Sequence, residues 1–268
     1  MRSQILLAAS LCSVSGAGLA AHDFWLAADP WTPRERISIS ANVGDRFPAG
    51  TDFTPPQGVE RFRVAGPDGE VAVGRDFRRE ANSLVADLTL RSPGAYLATM
   101  VIAPRVTEMK GPSFTSYLHE EGLDWVIAAR QKAGVSESSA KERYARYAKV
   151  AVRSGPGSGA HLMRPVGLPA EFVPMTDPTM VRAGALLTFQ LLAGGRPVAG
   201  AAVTARHAGG GHPVMGRTDA TGNVTLPIDR DGQWLVRTVH MVSGAQAGVP
   251  EVDWDSYWAT FAFHTAAP

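Results

Sequence analysis

The chain has 268 residues, of which 26 are basic and 25 acidic, so its formal net charge at pH 7 is +1. This balance, without a basic tail or an acidic block, argues against nucleic acid and anionic membranes as partners. The single cysteine, Cys12, excludes an internal disulfide and a multi-cysteine zinc site, so the fold must be stabilised by its hydrophobic core.

Residues 1–21 have the pattern of a secretory signal peptide. A basic residue precedes a short apolar stretch (5–14), and small residues then offer two cleavage sites, after Ala20 or after Ala21. The apolar stretch is shorter than the roughly 20 residues that a membrane span needs. We therefore expect export to the periplasm without membrane insertion of the mature chain. Cleavage after Ala21 would place His22 at the N-terminus.

Short strands separated by turns are predicted between residues 35 and 103. The sequence RISISANVG (36–44) alternates apolar and polar residues, and residues 60–70 form a strand followed by a turn. Residues 83–103 form two strands around a Ser-Pro-Gly turn. Turn signals spaced about 8–12 residues apart favour a β-sandwich.

The pattern changes to helical spacing after this region. Apolar residues predict a helix over residues 115–135, with Gly134 as its stop signal. Ser139 and Glu142 form the S-x-x-E pattern of a capping box, which predicts a second helix over residues 139–155. The sequence therefore predicts a helical insert between two β regions.

The strand pattern resumes at about residue 165 and continues to the end of the chain. Residues 185–241 resemble the prealbumin-like or carboxypeptidase-regulatory-like modules of the immunoglobulin-like class, and residues 254–263 are predicted as the closing strand. The predicted fold is all-β with a small helical insert. It comprises a signal peptide (1–21), an N-terminal β-sandwich domain (22–112), the helical insert with a linker (113–160) and a C-terminal immunoglobulin-like β-sandwich domain (161–268).

Three stretches together carry a resemblance to a known family: AHDFWLAADP at the mature start, YLHEEGLDWV…KERYARYAKVAV in the insert, and GQWLVRTVHM…DWDSYWATFAF at the end. The chain resembles secreted proteins of unknown function labelled a nickel uptake substrate-specific region. Members are often called periplasmic components of cobalt or nickel transport systems. The resemblance covers essentially the whole mature chain. It implies an exported β-sandwich protein that handles Ni²⁺, Co²⁺ or a similar ion and meets a membrane transporter or receptor.

His22 is the first candidate metal ligand. An N-terminal histidine can offer its α-amine and its ring Nδ1 to one ion, and a free α-amine loses its proton near pH 8. A second imidazole would complete three nitrogen donors, a set that suits Cu²⁺ or Ni²⁺. In the alternative interpretation, HDFWL is simply the first strand of the core. The two interpretations are compatible, because a strand would hold the terminal nitrogen in place.

Three further histidines are candidates. His240 lies in a strand within the resembling C-terminal stretch and is the preferred partner of His22, although a buried structural histidine is the alternative. His207 and His212 flank the sequence AGGG, and a hairpin that pairs residues 202–207 with 212–217 would place their rings opposite each other. The alternative is two solvated histidines at a glycine-rich hairpin tip.

The sequence contains no G-x-S-x-G, H-E-x-x-H, phosphate-loop or dinucleotide-binding motif. It therefore predicts a non-enzymatic, exported protein that binds nickel, cobalt or copper and assists its uptake or delivery. The predicted ligands are His22 and His240, with His207 and His212 as a secondary site. One alternative is a non-catalytic module that binds proteins or carbohydrates, for which six tryptophans offer stacking surfaces. Another is a copper enzyme with an N-terminal histidine brace.

Overall fold

A computed structural model describes residues 22–32, 35–71, 73–74 and 76–266. The predicted signal peptide (1–21), both predicted cleavage sites and Cys12 lie outside the described residues. The described chain is built mainly of strands with two short helices, which confirms the prediction of an all-β fold with a small helical insert.

The elements follow one another along the chain in this order: β1 (Asp23–Asp29), β2 (Arg36–Gly44), β3 (Val59–Gly66), β4 (Gly69–Val71), β5 (Arg78–Glu80), β6 (Ser83–Thr89), β7 (Gly94–Met109), α1 (Gly111–Glu120), α2 (Asp124–Lys132), β8 (Ala140–Ser154), β9 (Ala170–Pro174), β10 (Ala185–Ala193), β11 (Arg196–Pro197), β12 (Ala202–His207), β13 (Val214–Arg217), β14 (Asn223–Ile228), β15 (Gln233–Ser243) and β16 (Trp254–His264). The strands predicted at 36–44, 60–70, 83–103 and 254–263 are all present. The first predicted helix is divided in two at Gly122, whose φ of +66° ends α1.

The second predicted helix, over residues 139–155, is wrong, because this segment is strand β8. Strand β8 pairs with β7 on one side and with β16 on the other, and most of its residues are buried. Glu142 does not cap a helix; its carboxylate is buried against the sheet. Pairing along both edges of this strand outweighs the local capping pattern, which is a weak determinant on its own.

An eight-stranded sheet in the order β13-β12-β15-β16-β8-β7-β3-β4 forms the centre of the molecule. The pairing of β16 with β8 is parallel, and the other pairs among the described strands are antiparallel. Strands from both predicted β regions lie in this sheet, on either side of the β8–β16 pair. The division into two separate domains stays a prediction.

The central sheet is covered on both faces, as alternate residues of β8 show. Ala148 and Val150 contact a core shared with the small sheet β1-β2-β6-β5. Tyr147 and Ala151 point the opposite way, into a core shared with β10 and its partners β9, β11 and β14. Beside the β1-β2-β6-β5 sheet, the hairpin formed by α1 and α2 covers the remaining part of the first face through a third apolar cluster.

A buried ion pair ties β9 to the back of the central sheet. The Lys149 ammonium of β8 contacts the Glu171 carboxylate of β9, and both side chains are almost fully buried. Lys149 Nζ also donates to the carbonyl oxygen of Phe172 at 2.9 Å. The other carboxylate contacts come from the backbone N–H groups of residues 166–168. Burial lowers the pKa of Lys149, and the Glu171 charge opposes that shift.

We expect Glu171→Ala to lower the free energy of unfolding by about 3–5 kcal/mol, because the Lys149 charge and three backbone donors would lose their buried partner. Urea denaturation of the purified protein measures this change. Glu251→Ala, at an exposed position, is the matched control and should change stability by less than about 0.5 kcal/mol. Equal stability of the two variants would contradict the stabilising role of the buried Lys149–Glu171 ion pair.

Candidate functional site

His22 immediately precedes β1, and its imidazole lies between two carboxylates. Nδ1 is 2.5 Å from Asp52 Oδ2, and Nε2 is 3.4 Å from Asp45 Oδ1. The side chain is 21% exposed, but Nδ1 itself is buried and has no partner in hydrogen-bond geometry among the described residues. The loop after β2 brings the two acids to the ring by folding back, with the Thr51 and Asp52 backbone N–H groups donating to the Val43 carbonyl oxygen.

Arginines hold the backbone at this point of the chain. Arg146 Nη2 donates to the carbonyl oxygen of His22 at 3.1 Å. Arg206 Nη1 lies 3.3 Å from Asp23 Oδ2 and donates to the carbonyl oxygen of Asp45 at 2.8 Å. The start of β1 and the acidic loop are therefore fixed relative to each other and to the central sheet.

A buried charged cluster lies where the β1-β2-β6-β5 sheet and the helical hairpin meet over the central sheet. We call it the charged seam, and it consists of Asp23, Glu121, Glu142, Arg146 and Arg237. The Arg237 guanidinium contacts the Asp23 carboxylate and lies 2.5 Å from Glu121 Oε2. Burial lowers the pKa of Arg237, but the Asp23 and Glu121 charges outweigh this effect and raise it overall. Arg237 therefore stays charged and joins the first strand to the end of α1.

Glu142 differs from the other acids of the seam because its hydrogen bonds come from hydroxyl groups. Tyr117 Oη of α1 donates to Glu142 Oε1 at 3.0 Å, and Ser256 Oγ of β16 donates to the same oxygen. Burial raises the pKa of Glu142 to about 7, and the two hydroxyl donors only partly oppose that rise. This carboxyl group therefore changes its charge near neutral pH.

His240 does not meet His22. Side chains alternate along β15, so Arg237 and Val239 face the seam and the helical hairpin, while Val236 and His240 point to the opposite face of the sheet. The His240 ring instead packs at 6.1 Å from the ring of its strand neighbour Tyr257, and burial lowers its pKa. The second imidazole that a copper brace requires is therefore not supplied to His22 by His240.

His207 and His212 also have separate surroundings. Strands β12 and β13 pair in the predicted register, but the pairing ends at Ala205 and Val214. Beyond it, His207 Nδ1 accepts from the backbone N–H of Gly209 at 2.9 Å, and Nε2 lies 3.0 Å from the carbonyl oxygen of Asp231. His212 is exposed in the loop. Both ring nitrogens of His207 are thus engaged by the backbone, and metal binding by this pair stays a prediction.

A separate cleft of about 560 Å³ lies where the parallel strands β8 and β16 end. Its walls include Trp31, Met180 and His264, and the two ring systems of Trp31 and His264 are 6.1 Å apart. At one side, the Arg153 guanidinium is held by the Asp177 carboxylate and by Thr179 Oγ1 at 2.9 Å. The cleft therefore combines an aromatic wall with a positioned charged pair.

Sequence reasoning missed most of this site. Asp45 and Asp52 reach His22 only because the loop folds back, which no local pattern signals. The capping-box pattern predicts Glu142 at the start of a helix, whereas it lies in strand β8. A usable signal existed for Arg237, since a charged residue inside the apolar run WLVRTVHM must find a buried partner.

Among the described residues, no group of three or more histidine, cysteine, aspartate or glutamate side chains converges to hold a metal ion. His22, Asp45 and Asp52 do not form such a group, because the two carboxylates approach opposite nitrogens of the ring. In the same part of the chain, no helix is both long and apolar enough to cross a membrane.

Fold and site together define a layered β protein with a histidine fixed at the start of β1 and a charged seam beneath a helical hairpin. The family model for a domain of unknown function, DUF4198, matches residues 19–242, and the chain belongs to this family. No curated protein sequence matches the chain.

Two solved structures show a distant likeness. One is a tetra-tandem repeat in the extending region of a large adhesion protein, with 12% identity and a TM-score of 0.20 over 90% of this chain. The other comprises three N-terminal domains of the highly immunogenic outer capsid protein of bacteriophage RB49, with 11% identity and a TM-score of 0.18 over 90% of this chain. The chain spans 49% and 59% of the length of these two structures.

Replacing Arg237 tests whether the seam holds the layers together. We expect Arg237→Met to lower the free energy of unfolding by about 3–5 kcal/mol, because Asp23 and Glu121 would be buried without their counter-charge. Arg237→Lys should recover only part of this loss, since a single ammonium cannot bridge two carboxylates as a guanidinium does. Thermal and urea denaturation at pH 7 measure the stability of both variants. Arg196→Met, at an exposed position, serves as the control and should stay within about 0.5 kcal/mol of wild type.

Proposed function

We propose that the protein is an exported, non-catalytic metal-binding protein that takes Ni²⁺, Co²⁺ or Cu²⁺ at its N-terminus and assists the uptake or delivery of that ion. Removal of residues 1–21 would give His22 a free α-amine beside its ring. The main support is the buried Nδ1 of His22, which lies next to the Asp52 carboxylate without a hydrogen bond among the described residues. An ion that binds both atoms would give each of them a ligand bond once they separate from 2.5 Å to about 3 Å, because metal–nitrogen and metal–oxygen bonds are each about 2.0–2.2 Å long.

The donor set fits such an ion. The α-amine and Nδ1 of His22 would supply two nitrogens, and an Asp52 oxygen would supply the third donor. Nitrogen ligands suit Ni²⁺, Co²⁺ and Cu²⁺, and affinity among these three normally rises from cobalt through nickel to copper. The α-amine is a main-chain group, so this proposal needs no cluster of three ligating side chains.

Asp45 has a different role in this proposal. Its carboxylate faces Nε2 of His22 and would hold the proton on that nitrogen, which leaves Nδ1 as the metal-binding atom. A carboxylate that accepts the second N–H of a ligating histidine also raises the basicity of the ring. The Arg146 and Arg206 contacts fix the backbone, so little ordering would be required when the ion binds. Transfer of the ion to a membrane transporter or receptor belongs to the same proposal.

Metal titration of the mature chain beginning at His22 tests this function. By isothermal calorimetry we expect Ni²⁺ and Cu²⁺ to bind with a Kd below about 10 μM, which corresponds to more than about 6.8 kcal/mol. His22→Ala should remove this binding, and Asp52→Asn should weaken it about tenfold. Asp229→Asn, an exposed carboxylate far along the chain, is the matched control and should bind as wild type does.

A chain that begins at Ala21 is the most specific comparison. It keeps every side chain of the site but blocks the His22 amine, so we expect a loss of at least tenfold in affinity. Equal binding by the two chains, or binding unchanged in His22→Ala, would overturn the proposed site. Affinity weaker than about 10 μM for all three ions would overturn the function.

We propose carbohydrate binding in the Trp31 cleft as a second candidate function. The Trp31 ring offers an apolar face for a sugar ring, and the Arg153–Asp177 pair has N–H donors and oxygen acceptors for hydroxyl groups. The size of the cleft falls within the usual range of small-molecule sites.

Binding of soluble oligosaccharides, measured by calorimetry or a glycan array, tests the second function. We expect Trp31→Ala to lower affinity at least tenfold, or by about 1.4 kcal/mol. Trp125→Ala is the control, because Trp125 is a tryptophan that reaches solvent but lies on α2, outside the cleft, whereas Trp31 is partly buried. An equal loss of affinity in the two variants, or no oligosaccharide binding by the wild type, would contradict carbohydrate binding in this cleft.

A further inference from the structure

The α1–α2 hairpin covers Glu142 from above. Its tyrosine, Tyr117, stacks on Trp258 of β16 with ring centroids 6.0 Å apart and places its hydroxyl on the Glu142 carboxylate. Phe114 and Leu118 of the same helix complete the apolar cover against the sheet. Glu142 and Tyr117 are both buried, so water reaches the carboxylate only if one of its covers moves.

Of the elements around Glu142, α1 is the one that can move most easily. Strands β7 and β16 pair with β8 on either side through long ladders of hydrogen bonds. The hairpin instead rests on the sheet through side chains, and its buried polar contacts with the sheet are Tyr117–Glu142 and Glu121–Arg237. Small packed elements without ladder pairing open at lower free energy than core strands.

Polar groups approach Glu142 from several elements. The titratable groups Tyr117 and Glu121 act on it from the hairpin and Arg146 from β8 itself, while Ser256 of β16 supplies a hydroxyl group. The Arg237–Asp23 pair is the remaining charged part of the seam. Arg237 is already shared between Asp23 and Glu121. Glu142 accepts hydrogen bonds from two hydroxyl groups, which can hydrogen-bond to the neutral acid as well as to the anion.

We propose that the α1–α2 hairpin is a pH-dependent cover, whose opening is promoted by ionisation of the buried Glu142 carboxyl group. With the hairpin docked, the carboxyl group is buried and favours its neutral form. With the hairpin lifted, water solvates the anion. This proposal does not depend on metal or carbohydrate binding.

The direction follows from proton linkage. Burial raises the pKa of docked Glu142 to about 7, whereas the solvated group has the ordinary value of 4.5. Between these values the docked form holds more protons, so raising the pH favours opening. With these two values, the opening equilibrium rises about tenfold between pH 6 and pH 8 and changes little above pH 8.

Hydrogen exchange of α1 amides at pH 6 and pH 8, corrected for the intrinsic exchange rates, measures this equilibrium. We expect an approximately tenfold increase in opening in the wild type and no increase in Glu142→Gln, whose amide resembles the neutral acid. Tyr117→Phe should raise opening at both pH values but keep the pH dependence, because the carboxyl group remains.

Three results would overturn the proposal. The first is an unchanged α1 opening equilibrium in the wild type. The second is the same tenfold rise in Glu142→Gln. The third is an equal rise in the amides of the central strand β15, which would indicate global unfolding instead of movement of the cover. The wild-type comparison of α1 with β15 decides the matter by itself if Glu142→Gln does not fold.

Discussion

A single buried guanidinium connects the layers of this protein. Arg237 lies in the central sheet and contacts one carboxylate from the first strand and another from the end of α1. Its positive charge stabilises the buried carboxylates of Asp23 and Glu121, because a buried carboxylate without an opposite charge is strongly unfavourable. The position of His22 depends on this contact, since Asp23 is its immediate neighbour in the chain.

The seam also explains how one sheet face can carry two different covers. The β1-β2-β6-β5 sheet and the helical hairpin each bring their own apolar cluster, and the charged residues lie along the boundary between them. A purely apolar boundary would let either cover slide, whereas ion pairs and hydrogen bonds have directional partners. The proposed metal site lies at the exposed end of this boundary, and Glu142 lies beneath the hairpin.

Local patterns were sufficient for much of the fold. The strand at 36–44 was predicted from alternation, and the strands around the Ser-Pro-Gly turn were predicted from turn chemistry. The error over residues 139–155 arose because a central strand buried on both faces lacks alternation and resembles a buried helix. Less of the candidate site could be predicted from the sequence, because Asp45, Asp52 and Arg146 reach His22 through loop geometry and strand pairing. Of these residues around the proposed metal site, only His22 has a signal in the sequence, and in the charged seam only Arg237 has one.

The parallel pairing of β16 with β8 has a consequence for how the molecule forms. The strand nearest the C-terminus occupies an inner place in the widest sheet, and its partner residues lie more than 100 positions earlier. Contacts between such distant segments are slow to form, because the intervening loop must first close. Until β16 is in place, β15 and β8 each expose an unpaired edge. An incompletely folded chain can therefore pair through these edges with other chains.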